Sequence, residues 1–161
     1  MSKLNELGFD DVEDYLTQLG NDFAQKTVFE ADKALKIATP VGETGRLRLG
    51  WQIGENAISS DSPEPDKIHP EGKAGSPPKP RGINYQPGTE TIGNVYSIHN
   101  AVEYAEPVCM GTALPPSWGG KFRTQQGTVP GFPELITKEL EVDSQRRFNK
   151  AVQDARRGGI I

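Results

Sequence analysis

The chain carries one cysteine, Cys109, in 161 residues, which leaves it no internal disulfide and fits synthesis in a reducing compartment. Histidine is almost as scarce: His69 and His99 are the only two, and with a single thiol they offer no zinc-ligand spacing. The opening stretch MSKLNELGFDD lacks an apolar signal region and no run approaches membrane-spanning length, so a soluble, unexported chain is expected. A surplus of Lys and Arg is missing too. The net charge is -4, which speaks against a protein built to wrap phosphate backbones. Apolar residues make up only 34%, against 18 glycines and 13 prolines, so the core is thin and burial against neighbouring chains is favoured.

Catalytic signatures are equally sparse. The glycines lack the spacing and preceding strand of a phosphate-cradling loop, and no G-x-S-x-G, H-E-x-x-H, C-x-x-C or EF-hand pattern occurs. Cys109 and His99 could meet if their segments pair, but a buried Cys beside a strand histidine is an ordinary packing arrangement. No enzyme, cofactor or metal site is implied.

At this length one domain, 1–161, is expected. Apolar residues at Val12, Leu16, Leu19, Phe23, Ala31, Ala34, Leu35 and Ala38 recur at helical steps and predict one long amphipathic helix, with Asp10 and Glu13 as a capping box. Gly20 interrupts the stripe and implies a bend or a close approach. Pro40 disfavours helix at Thr39 and ends it. In RLRLGWQI the residues Leu47, Leu49, Trp51 and Ile53 alternate with polar or small ones, which predicts a half-buried strand with Arg46 and Arg48 facing away from the core. Those arginines are then either solvated or open to a salt bridge with a neighbouring subunit.

Residues 54–92 hold seven of the thirteen prolines and few large aliphatics, and read as a long Pro/Gly-rich loop: a mobile insertion, or an arm that docks on a partner and becomes ordered there. Its Lys67, Lys73, Lys79 and Arg81 allow a second reading, a DNA-binding accessory protein with a basic mobile loop. A strand is expected from about Gly93 through Tyr96 and Ile98, then a turn or short helix near Val102–Ala105, then a last strand in VCMGT ended by Gly111. The C-terminal part reads as helix from about Pro133, interrupted near Val142 and stopped by Gly158, with Phe148, Ala151, Val152 and Ala155 as its apolar face. It is basic where the first helix is acidic, which suggests that Arg146 and Arg147 meet that helix across a subunit boundary. The fold class expected is α+β, with a long N-terminal and a C-terminal helix packed on a small antiparallel sheet.

TPVGETGRLRLGW resembles the segment that opens the sheet of the tail-completion, or tail-terminator, family of tailed bacteriophages, and IHNAVEYAEPVCMGT is similar to a second block of that family in the expected order. Thr39, Pro40, Thr44, Gly45, Leu47, Trp51, Tyr104 and Gly111 carry the likeness. The first block is one residue longer than the family's commonest form, and Cys109 stands where glutamate is frequent. The resemblance implies a virion structural protein of the phage neck, a ring, hexameric in the family's pattern. Such a ring ends the tail tube, adjoins the connector or stopper protein and the tube or sheath, and passes genomic DNA through its lumen without reading sequence. No membrane contact is implied.

Overall fold

A computed structural model describes residues 8–122 and 128–157. Among these the chain is mixed helix and sheet. Helix α1 (Phe9–Ala38) is followed by a one-turn helix α2 (Arg46–Leu49), strand β1 (Trp51–Glu55) and a one-turn helix α3 (Pro70–Lys73). Then come β2 (Tyr96–Asn100), α4 (Ala105–Met110), a 3-10 turn at Pro116–Trp118 and helix α5 (Phe132–Arg157). No described helix is long and apolar enough to cross a membrane.

The long helix forms as its periodicity predicts. Its cap lies two residues earlier than expected: Gly8 is the N-cap and its amide donates to Asp11 Oδ2 at 3.0 Å. Gly20 leaves the helix unbroken and serves close packing, since a Cβ there would come within 2.5 Å of Ile92 Cγ2. Past Ala38 the extended Thr39 closes the last turn, its amide and hydroxyl both donating to the Leu35 carbonyl.

β1 and β2 pair antiparallel with Ile53 opposite Ile98 and Trp51 opposite Asn100. One face of the pair rests on α1, where two apolar clusters meet. Leu35, Leu47, Trp51, Val102, Val108 and Phe132 build the larger; Val28, Ile53 and Tyr85 build the smaller. The expectation had both long helices on the sheet. Instead α5 packs chiefly along α1, with Phe148 edge-on to Phe23 at 5.7 Å and Arg147 paired with Glu30 of the same chain. The acidic and basic helices therefore do meet, but within one chain. α5 also runs through Val142 without interruption. The expected stop at Gly158 and the side chain of Ala155 lie outside what is described.

Three further expectations are corrected. Arg46–Leu49 is a helical turn rather than the start of a strand, because Gly45 at φ 70° turns the chain into it and four alternating residues fit one helical turn as readily as a strand. Arg46 and Arg48 are consequently buried, each 6% exposed, not outward-facing. VCMGT contains no strand; α4 runs through Met110 and ends on Gly111 at φ 72°, with the Gly111 amide bonded to Pro107 and Val108 carbonyls.

The Pro-rich stretch also departs from expectation. Apart from Gly54 and Glu55, which end β1, and α3 it has no regular structure, yet it is laid against the body as a strap rather than left as a free arm. Chain without a sheet or helix must satisfy its carbonyls elsewhere, and here side chains of the folded body do so. Arg46 Nε donates to Pro63 O at 2.7 Å, Gln52 Nε2 to Asp61 O at 2.7 Å and Arg48 Nη1 to Ala74 O at 2.7 Å. Lys36 Nζ donates to Pro78 O and Lys79 O at 3.3 and 3.1 Å. Two backbone bonds complete the seam, Ile53 N to Arg81 O and His69 N to Thr44 O. The arginines that the sequence pattern turns outward are the staples of this strap.

Candidate functional site

The segments TPVGETGRLRLGW and IHNAVEYAEPVCMGT, with 46 residues between them, come together. The turn from Pro40 to Leu47 forms one wall of an open cleft of about 470 Å³, and the segment from Tyr104 to Trp118 forms the other. Thr39 is fully buried; its hydroxyl accepts from Trp51 Nε1 at 2.6 Å, which pins the start of β1 to the end of α1. Thr44 Oγ1 accepts from the Arg46 amide at 3.3 Å and holds the entry to α2. Gly45 packs against the strap: a Cβ there would lie 2.8 Å from His69 O. Leu47 and Val108 supply the apolar floor from the core side.

Arg46 is a buried member of the cleft wall. Its guanidinium makes two bonds to Glu103, Nη1 to Oε1 at 2.6 Å and Nη2 to Oε2 at 2.9 Å, and lies 5.7 Å from the Tyr104 ring centroid. The bonds to Glu103 raise the arginine's pKa and hold the carboxyl below its usual range. This fork joins the first block to the second. Arg48 has a different duty: its Nε donates to Lys36 O at 3.0 Å in the last turn of α1, where the helix dipole favours a cation.

The remaining expected contact residues do not converge. Lys67 pairs with Glu64, Arg146 with Asp143 at 3.0 Å, and Arg147 with Glu30. Arg81 Nη2 turns inward to Leu49 O, while Lys73 and Lys79 stay exposed. Cys109 and His99 are not paired either: Cys109 is buried on α4, and His99 Nε2 accepts from the Ser59 amide at 3.0 Å. Among the described residues no group of three or more metal-ligating side chains gathers.

Burial pushes the Cys109 thiol up to about 12. The neutral thiol is thus favoured in the fold, so its stabilising contribution is full below the ordinary value of 9.0 and is lost as pH rises toward about 12. Alkylation by iodoacetamide at pH 8 is accordingly expected to run on the order of a hundredfold slower in the native protein than in urea. Equal rates would mean that the thiol is not enclosed as described.

Sequence reasoning missed the buried pair Asp32–Lys36, whose side chains are 2% and 0% exposed and 2.7 Å apart. A signal existed: Val28, Asp32, Leu35, Lys36 and Thr39 fall at helical steps on the inward face of α1, and two of the five are charged. Burial raises the Asp32 pKa and lowers that of Lys36, each opposed by the other's charge.

Compared with models of protein families, with curated proteins and with solved structures, the chain matches none. What the site can do is therefore read from its own residues. It presents an apolar recess with a buried, hydrogen-bonded cation in its wall, a surface suited to receiving a side chain or segment of another protein.

Proposed function

We propose that this protein is a structural component of the bacteriophage neck, repeated as a closed ring, hexameric in the resembled family's pattern, that terminates the tail tube and joins it to the connector. What supports the reading is that Pro40, Thr44, Gly45 and Leu47 of the first block face Tyr104, Pro107 and Val108 of the second, together with Leu114 and Trp118 just beyond it, across one solvent-open apolar cleft. Distant segments that meet at one apolar recess are what a docking surface needs. In this reading the protein makes and breaks no bond and sits in the virion, touching its own copies, the stopper protein and the tail tube or sheath. A head-to-tail contact whose rotation closes produces the ring, and the chain's acidity lets DNA slide through the lumen without sticking.

The test is electron microscopy of the purified protein mixed with tail tubes lacking it, together with assembly of particles from which it is omitted. Rings at tube ends, and heads and tails left unjoined in its absence, are the expected results. Particles that join normally without it would overturn the proposal. If instead the protein is retained on duplex DNA at low salt and released steeply as salt is added, the accessory DNA-binding role through Lys67, Lys73, Lys79 and Arg81 takes its place.

A further inference from the structure

The cleft and the Arg157 end of α5 lie far apart. The cleft is at the Phe132 end of α5, since Phe132 and Val108 share one apolar cluster and Gly131 N donates to Cys109 O at 2.8 Å. From there α5 runs antiparallel to α1, reaching Glu30 with Arg147 and Phe23 with Phe148. Twenty-six helical residues carry Arg157 about 39 Å from Phe132 at 1.5 Å per residue. The stretch Gly158-Gly159-Ile160-Ile161 that follows can extend about 14 Å at most. It falls well short of its own cleft.

We infer that the cleft between Leu47, Val108, Leu114 and Trp118 receives the Ile160–Ile161 segment of a second copy of this chain. Two observations choose this occupant. The recess is predominantly apolar, and Ile160–Ile161 is a pair of adjacent large aliphatics. The charges also match: exposed Glu43 lines the cleft and exposed Glu106 adjoins its lining residue Pro107, whereas exposed Arg156 and Arg157 lie two glycines before the aliphatic pair. Because the donor and acceptor surfaces differ, the contact is head-to-tail and repeats around an axis until it closes. The inference rests on the ring reading and supplies its contact, but can fail separately from it.

The experiment uses the full chain carrying Ile160→Asp and Ile161→Asp as receptor, so that its clefts cannot be filled by its own copies. A synthetic peptide DARRGGII is titrated in, and the emission of Trp118, half-exposed in the cleft, is followed against the buried Trp51. A saturable blue shift is expected, with the peptide DARRGGDD at least about tenfold weaker. The receptor itself is expected to sediment as a smaller species than the wild-type chain. No saturable change, or equal binding of the two peptides, overturns the inference. So does a doubly substituted chain that assembles as the wild type does; wild-type rings in that case leave the ring reading standing. Peptide binding without any wild-type ring, alone or on tail tubes, keeps the tail-to-cleft contact and removes the ring.

Discussion

Replacing Asp32 by alanine is expected to lower the unfolding free energy by about 3–5 kcal/mol. Lys36 is 0% exposed, and of its three hydrogen bonds only the one to Asp32 comes from a charged partner; the others go to the carbonyls of Pro78 and Lys79. Without the carboxylate an ammonium is left in the interior with two dipoles to offset its lost hydration. The double change Asp32→Leu with Lys36→Met removes both charges and is expected to recover more than half of the loss, although the two strap carbonyls then lack a donor. The pH sense follows from the shifts. Asp32, raised by burial, contributes most favourably below the ordinary 3.8 and less as pH climbs through its folded value. Lys36, lowered by burial, contributes most above the ordinary 10.5 and less as pH falls through its folded value. Burial thus opposes the charged form of both groups, and the doubly apolar variant escapes that cost. Urea denaturation of the three chains decides the matter, and an Asp32→Ala protein within about 0.5 kcal/mol of wild type would show that the pair is not buried as described.

Gly82→Ala is expected to cost about 3 kcal/mol, through backbone contact alone. A Cβ at that position would stand 1.7 Å from the Ile53 carbonyl oxygen, where the strap runs along the outer edge of β1 and Arg81 O accepts from Ile53 N at 2.8 Å. Neither group can rotate away, because both are main chain. Gly75 is the control: nothing lies within 4 Å of its Cβ position, and alanine there is expected to be neutral or to stabilise by about 0.4–1 kcal/mol through the unfolded state. Comparable urea midpoints for the two variants would mean that the strap does not press on β1.

Periodicity made α1 and most of α5 legible, because each has an apolar repeat long enough to distinguish one period from another, whereas of the strand expected in RLRLGWQI only the part from Trp51 formed. Short elements were not. Arg46–Leu49 and Ala105–Met110 are too brief for a period, and the glycines that set their ends, Gly45 and Gly111, act through a backbone angle that composition does not reveal. The strap misled for a physical reason. Its few aliphatics suggested a segment unable to bury itself, but it is held mainly through its carbonyls, which every sequence has and no sequence pattern marks. The inward turn of Arg46, Arg48 and Lys36 follows from those carbonyls. Of the candidate site, Pro40, Thr44, Gly45, Arg46, Leu47 and Tyr104 are named from sequence, whereas Pro107, Val108, Leu114, Trp118 and the Arg46–Glu103 fork join them only through the meeting of distant segments in space.

The pairing of Trp51 with Asn100 closes a long excursion of chain with a sheet of only two strands. During synthesis α1 leaves the ribosome early, but the side chains that cover its inward stripe arrive in instalments: Trp51 and Ile53, then Tyr85, and finally Phe132 with the rest of α5. Until then Val28 and Leu35 have little to rest on, and the nascent chain carries an uncovered apolar ridge through most of its translation. A polypeptide arranged in this way folds late and non-locally, and it depends on its last helix to hide what its first helix exposes.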